Sequence, residues 1–313
     1  MKIKKNDKIF IAGSRGLVGS SILRKLKKKG YKNILTSSRK KVDFLDQKQT
    51  FKFLKKNKPK FVFIAAAKVG GIYANNYYRA NFLYENLSIQ NNLIHGSFLA
   101  GVKNLIFLGS SCIYPRDCKQ PIKENYLLSG KLETTNEPYA IAKIAGVKLC
   151  ETYNNQYGTF FKCLMPCNTY GPGDNYNEKN SHFLPALIKK IHEIKIGKKN
   201  SLQLWGTGKP KREFIYVDDL ADACIYFMNK KTDKYLINVG FGKDYSILRT
   251  AKIALDALGV KSRIKFDKRN IDGTPRKILD NSVSRKLGWK PKTSLRNGII
   301  KTYKAFTKKS LID

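Results

Sequence analysis

The chain has 313 residues, 42% of them hydrophobic, and its 61 Lys and Arg against 23 Asp and Glu give a formal net charge of +38. That length supports a large buried core and one large domain bearing a smaller lobe. The six cysteines, Cys112, Cys118, Cys150, Cys163, Cys167 and Cys224, lack paired C-x-x-C spacing, which argues against a disulfide scaffold or zinc site and for reduced thiols in a cytoplasmic protein; no apolar run approaches a membrane span, so no membrane partner is expected.

Taken in order, Lys8 to Ala12 reads as a first strand, followed by a helix from about Val18 to Lys29 and a strand at Asn33 to Thr36. A helix near Gln47 to Lys56, a strand at Phe61 to Ala65, one long helix near Asn75 to Ala100 and a strand at Asn104 to Leu108 continue the alternation. A helix around Tyr139 running to about Tyr157 and a strand at Phe160 to Met165 complete it. Such alternation predicts βαβ units on a Rossmann-type, doubly wound parallel sheet of the α/β class. Beyond Tyr170-Gly171-Pro172-Gly173 the pattern loosens into polar loops around a helix at Pro185 to Ile196. The expected organisation is a nucleotide-binding domain over 1–170, with returns over 213–240, and a smaller C-terminal substrate-binding lobe from 171–212 and 241–313. The returns are Phe214 to Val217, a helix at Asp218 to Met228, and Tyr235 to Val239. The positive charge concentrates in residues 1–60 and 171–313, mostly as lysine on helix faces with no interleaved aromatics. No specific nucleic-acid partner is therefore expected, although a positive field draws in anionic ligands such as a nucleotide cofactor or nucleotide sugar.

Gly13-Ser14-Arg15-Gly16-Leu17-Val18-Gly19 follows the first strand and opens the first helix. In that position glycines let the backbone turn sharply and bring a pyrophosphate onto free N–H groups at the positive end of the helix dipole. An NAD-selective site offers an Asp or Glu at the end of the second strand for the ribose 2′-hydroxyl. Here no acidic residue lies between Asp7 and Asp43, while Arg15 sits in the glycine loop and Arg39 just past the second strand. Two guanidiniums suit a 2′-phosphate, so the sequence predicts NADP(H).

The strand at Asn104 to Leu108 ends in Gly109-Ser110-Ser111-Cys112-Ile113-Tyr114-Pro115, and Tyr139 and Lys143 lie one helical turn apart. Ser plus Tyr-x-x-x-Lys exchanges a proton with a carbonyl oxygen while hydride moves; an unperturbed phenol, with a pKa of about 10, then needs the Lys143 ammonium and the nicotinamide charge to favour its ionised form. Cys112 is extra to that set.

Together with Ala65 to Ile72, Asn136 to Lys143, Asn180-Ser181-His182 and Asp272 to Lys277, these segments resemble the extended short-chain dehydrogenase/reductase family. Within it they are most similar to members that turn GDP-4-keto-6-deoxy-D-mannose into GDP-L-fucose by epimerising C3 and C5 and reducing C4 with NADPH. The resemblance runs over almost the whole chain. It implies catalytic roles for Ser110, Cys112, Tyr139, Lys143 and His182, with Cys112 and His182 as the base and acid on opposite faces of the sugar. It further implies cofactor contacts from Ala65, Ala66, Leu108, Gly109, Ser111, Lys143, Pro166, Cys167, Asn168, Thr169 and His182, beside the glycine loop and Arg39. GDP-sugar contacts would come from Lys190, Trp205, Arg212 and Asp272. The alternative within the family is another nucleotide-sugar epimerase, reductase or dehydratase. The resemblance also implies a homodimer through the two long helices, and Phe82, Leu83 and Leu87 are apolar positions compatible with it. The other cysteines, His95 and His192 are expected to be structural.

Overall fold

In the computed structural model, which describes residues 2–177, 181–267 and 274–309, the short apolar runs become buried strands. The first half runs β1 (Ile9–Ala12), α1 (Leu17–Lys28), β2 (Ile34–Thr36), α2 (Gln47–Asn57), β3 (Phe61–Ile64), α3 (Ile72–Tyr77), α4 (Arg79–Leu99), β4 (Asn104–Leu108), α5 (Glu137–Tyr157) and β5 (Phe160–Pro166). Then come β6 (Asn168–Tyr170), α6 (Phe183–Lys195), β7 (Ser201–Trp205), β8 (Lys211–Tyr216), α7 (Val217–Asn229), β9 (Leu236–Val239), β10 (Asp244–Ser246), α8 (Ile247–Ala257), β11 (Arg263–Asp267), β12 (Arg276–Lys277), α9 (Ser282–Lys286) and α10 (Leu295–Lys309).

The main sheet has the order β2-β1-β3-β4-β5-β9, with every pair parallel. Helices cover both faces of such a sheet, which is why β1, β3 and β4 are unbroken apolar runs rather than alternating ones. Local chemistry fixes the helix ends. Asp46 caps α2 by accepting from Gln49 N at 2.9 Å, and Gly158, at φ 60°, terminates α5 in a left-handed turn only glycine adopts without strain.

Two expectations needed revision. The single helix near Asn75 to Ala100 is two helices that meet at Tyr78, whose ψ of 41° is not helical. Asn75 donates its side-chain amide to the carbonyls of Gly70 and Gly71 at 2.8 and 3.0 Å, tying α3 to the preceding glycine turn instead of to α4. The strand expected at Phe214 to Val217 begins earlier, at Lys211, and does not rejoin the main sheet. As β8 it pairs with β6, β10 and β12, although its Ile215 packs in the core of the nucleotide half together with α7 and β9.

A second core fills the smaller lobe, where Leu184, Leu187, Ile188 and Ile191 of α6 pack with Leu202 and Leu204 of β7 and Phe214 of β8. Two buried polar side chains knit the halves. Asn238 of β9 donates to Ile122 O and Asp280 O and accepts from the Tyr114 hydroxyl at 2.6 Å. Glu213 of β8 accepts from Gly242 N and Leu279 N at 2.6 and 2.9 Å. Such groups remain buried only because they are satisfied.

Candidate active site

The predicted glycine loop, Ser110, Cys112, Tyr139 and Lys143 gather at the C-terminal edge of the parallel sheet, where open α/β sheets bind ligands. In the glycine loop, Gly13 has φ +83°, and a Cβ there would lie 2.6 Å from Ala66 N; at Gly19 it would lie 2.1 Å from Gly13 O. The glycines thus press the loop onto Ala65 and Ala66 at the end of β3. Gly16 precedes α1 with no side-chain cap and no acidic residue in the first turn, leaving the helix N-terminus open to an anion. Ser14 is buried and Arg15 exposed, with Leu17 and Val18 half-buried behind them. Arg39 is exposed beyond β2, its Nε 3.5 Å from Asp43. A cradle that any Cβ would fill, an uncapped helix end and two exposed guanidiniums fit a phosphorylated dinucleotide.

At the end of β4, Ser110 begins a single 3-10 turn over Ser111–Ile113, and its Oγ accepts from Cys112 N at 3.2 Å. The Tyr139 hydroxyl reaches Ser110, and burial, reinforced by nearby Cys112, pushes its pKa well up. Lys143 is 2% exposed and donates from Nζ to Leu108 O at 3.0 Å. Its Nζ stands 5.7 Å from the Tyr139 ring centroid, and burial lowers its pKa to about 7. The protein by itself therefore does not favour a tyrosinate, and the expected ionisation calls on the nicotinamide charge as well. Desolvation outweighs the ammonium because Lys143 is itself desolvated and turned to a carbonyl. A phenol that stays protonated is the form that donates a proton.

Cys112 is half-buried and receives two N–H donors at sulfur: Lys277 Nζ at 3.5 Å and Asn136 Nδ2 at 3.6 Å. Neither donor was singled out from the sequence. Asn136 lies three residues before Tyr139, but Lys277 is 165 residues from the thiol and only β12 brings it there. His182 occupies the position before α6, its carbonyl accepting from Ala186 N at 3.2 Å. It is solvent-accessible yet crowded by protein, as in a concave wall, and burial lowers its pKa.

The remaining residues separate. Leu108 and Gly109 are buried at the tip of β4, where Gly109 N donates to Leu164 O at 3.0 Å; Ser111 is also buried. Pro166, Asn168 and Thr169 follow at β5 and β6, with Asn168 donating to Glu213 O at 3.1 Å and Thr169 to Cys167 O at 3.2 Å. Cys167 lies there too, but its side chain is buried beside Glu213 and burial raises its thiol pKa. Trp205 is 59% exposed because β7 alternates, Leu202 and Leu204 facing inward, so it is not lobe core. Lys190 Nζ stands 5.8 Å from the Trp205 ring centroid. Arg212 on β8 is paired in register with Lys277 and donates to Thr274 O at 2.6 Å. Asp272 and Asn180 lie outside the described residues.

His95 and His192 are engaged by the hydroxyls of Tyr153 and Tyr303. Phe82 is buried 6.3 Å from Tyr139, centroid to centroid, and so walls the site instead of lying on an outer helix face. No cluster able to hold a metal ion occurs among the described residues.

Comparison with known proteins agrees with this geometry. Residues 9–240 match the NAD dependent epimerase/dehydratase family. GDP-L-fucose synthase 1 of Arabidopsis thaliana is 47% identical over 304 residues, 97% of this chain and 94% of that protein. GDP-L-fucose synthase of Escherichia coli (strain K12) is 46% identical over 309 residues, 96% of each. Among solved structures, a GDP-mannoheptose C4 reductase from Campylobacter jejuni with NADP bound superposes with a TM-score of 0.88 at 40% identity, covering 97% of this chain and 99% of that one.

Proposed function

The chain belongs to the NAD dependent epimerase/dehydratase family, and from that premise we infer that it is an NADP-dependent enzyme converting GDP-4-keto-6-deoxy-D-mannose to GDP-L-fucose. The observation that carries the reading is Cys112, a thiol with two N–H donors at its sulfur, set beside the reductase group Ser110, Tyr139 and Lys143. Carbonyl reduction alone has no use for it.

Protons on C3 and C5 are acidified by the C4 ketone because the resulting carbanion is delocalised as an enolate. Cys112 takes the proton from one face, and His182 returns one to the other. Lowering the His182 pKa makes its imidazolium a stronger acid while reducing the protonated fraction near neutrality. Ser110 and Tyr139 hydrogen-bond the enolate oxygen. Bound NADPH supplies the hydride that reduces C4. Tyr139 then protonates the C4 oxygen, and Lys143 holds the edge of the site through Leu108. Arg15 and Arg39 would meet the 2′-phosphate, and the glycine loop the pyrophosphate. Lys190, Trp205, Arg212 and Asp272 would hold the GDP moiety.

The test is direct. Purified protein given the 4-keto sugar and NADPH yields GDP-L-fucose, and Cys112→Ser suppresses deuterium incorporation at C3 and C5 by roughly 100-fold or more. Unimpaired exchange in that variant would remove Cys112 from the mechanism. A second reading, C4 reduction without epimerisation, is favoured by the likeness to the C4 reductase. It expects no exchange in the unmodified protein.

The proposed NADP domain is 1–170 with the 213–240 return, although β8 pairs with β6 on one side and with the lobe strands β10 and β12; the substrate lobe is 171–212 and 241–313. No described helix is long and apolar enough to cross a membrane. The proposed location is the cytoplasm, and a homodimer through α4 and α5 is supported by exposed Tyr84 and Leu99 on the first helix and Ile141 and Tyr157 on the second.

A further inference from the structure

We propose that Lys277 is the positioning residue that makes Cys112 a base: its ammonium stabilises the thiolate and keeps its own proton throughout. The proposal rests on the reading of Cys112 as the base. In the step concerned, the sugar C–H bond breaks, its electron pair passes into the enolate, and an S–H bond forms on Cys112.

Three observations carry the inference. First, a neutral thiol is a weak acceptor, yet two N–H donors converge on Sγ, Lys277 at 3.5 Å and Asn136 at 3.6 Å, an arrangement suited to a sulfur anion. Second, this is not a loose surface lysine. Arg276, just before it, is locked to Asp244 by a bond from Nε at 2.6 Å. Ile278, just after it, donates to Gln120 Oε1 at 2.9 Å and accepts from Ile122 N at 2.8 Å. Lys277 itself sits in β12 opposite Arg212 of β8. Both neighbours are fixed, so the ammonium is held at the thiol.

Third, the ionisable groups that the described residues place near the sulfur and its lysine are neutral or otherwise engaged. Tyr139 faces Cys112 from α5, and burial keeps it a neutral phenol. Cys118 faces Lys277 from the segment after β4, and burial raises its thiol pKa. The Glu133 carboxylate accepts from Thr135 and from Asn136 N.

The rival role is phosphate binding, because Lys277 and Arg212 are neighbours on adjacent strands. Alkylation of Cys112 by iodoacetamide, followed by mass spectrometry across pH on the full chain, separates the two. Lys277→Met moves the midpoint of the Cys112 alkylation profile up by about one pH unit, equivalent to about tenfold slower labelling below it. Lys277→Arg returns the midpoint towards that of the unmodified protein. Lys277→Gln, uncharged but still polar, replaces the Met variant if the latter does not fold. Exchange at C3 and C5 slows in the uncharged variants and recovers with Arg.

An unmoved midpoint overturns the proposal, and weakened GDP binding with an unmoved midpoint reassigns Lys277 to the diphosphate. A failure of the functional reading looks different: the unmodified protein leaves the 4-keto sugar unchanged, whatever the alkylation profiles show.

Discussion

Tyr139 and Lys143 show what burial does to a pair that is one helical turn apart. The phenol is driven up and the ammonium down, to about 7. Both shifts follow from removing a charge from water, and both fit an enzyme that works in the reductive direction, where tyrosine must give a proton. Replacing Tyr139 with Phe should slow C4 reduction by roughly 10²- to 10⁴-fold. Exchange at C3 and C5 should fall less, since Ser110 still reaches the enolate oxygen. Stopped-flow NADPH oxidation read beside deuterium incorporation checks this, and equal losses would confine Tyr139 to enolate stabilisation. Ser110, Cys112, Tyr139 and Lys143 were legible because each lies within a short segment of recognisable chemistry. Lys277 was not, because nothing local distinguishes it among so many lysines; the fold alone sets it against the thiol.

Among the elements, β5 carries a liability. Lys162 is 6% exposed within it, opposite Ile106 of β4, and burial lowers its pKa to about 8. Below that pH the lysine is charged in both the folded and the unfolded chain, and burial makes the charge costly. As pH rises from about 8 towards the unfolded value of about 10.4, the unfolded chain holds more protons and stability rises. Lys162→Met should therefore stabilise the protein by about 1–3 kcal/mol at pH 7, with the advantage vanishing above about pH 10. Urea unfolding at the two pH values measures it, and a constant advantage would point to packing instead. Apolar runs such as Phe61–Ile64 and Asn104–Leu108 made the strands readable. They did not reveal which sheet β8 joins, since Lys211–Tyr216 is compatible with either; side-by-side pairing with β6, β10 and β12 decides it. The break at Tyr78 was hidden for a similar reason, depending on where the Asn75 amide turns.

For the whole molecule, a net charge of +38 sets a long-range field around a site built for phosphates. Raising ionic strength from 0.01 to 0.15 M shortens the Debye length from about 30 to about 8 Å. The kcat/KM for NADPH should then fall several-fold while kcat holds, because capture and not chemistry feels the field. Steady-state kinetics across a salt series checks it, and a parallel fall in kcat would place the effect within the site. At shorter range, the buried hydrogen bonds of Glu213 and Asn238 help tie the lobe carrying Arg212 to the sheet carrying Cys112. The pairing of Arg212 with Lys277 across β8 and β12 then has a thermodynamic meaning. A diphosphate held by Arg212, as proposed, would act one strand away on the lysine at the sulfur. Proton occupancy of Cys112 and nucleotide occupancy become linked quantities, each altering the other by the same free energy. An anion that draws on that ammonium withdraws support from the thiolate, so nucleotide binding and thiol ionisation would oppose each other, and the free chain would be the state whose sulfur labels fastest.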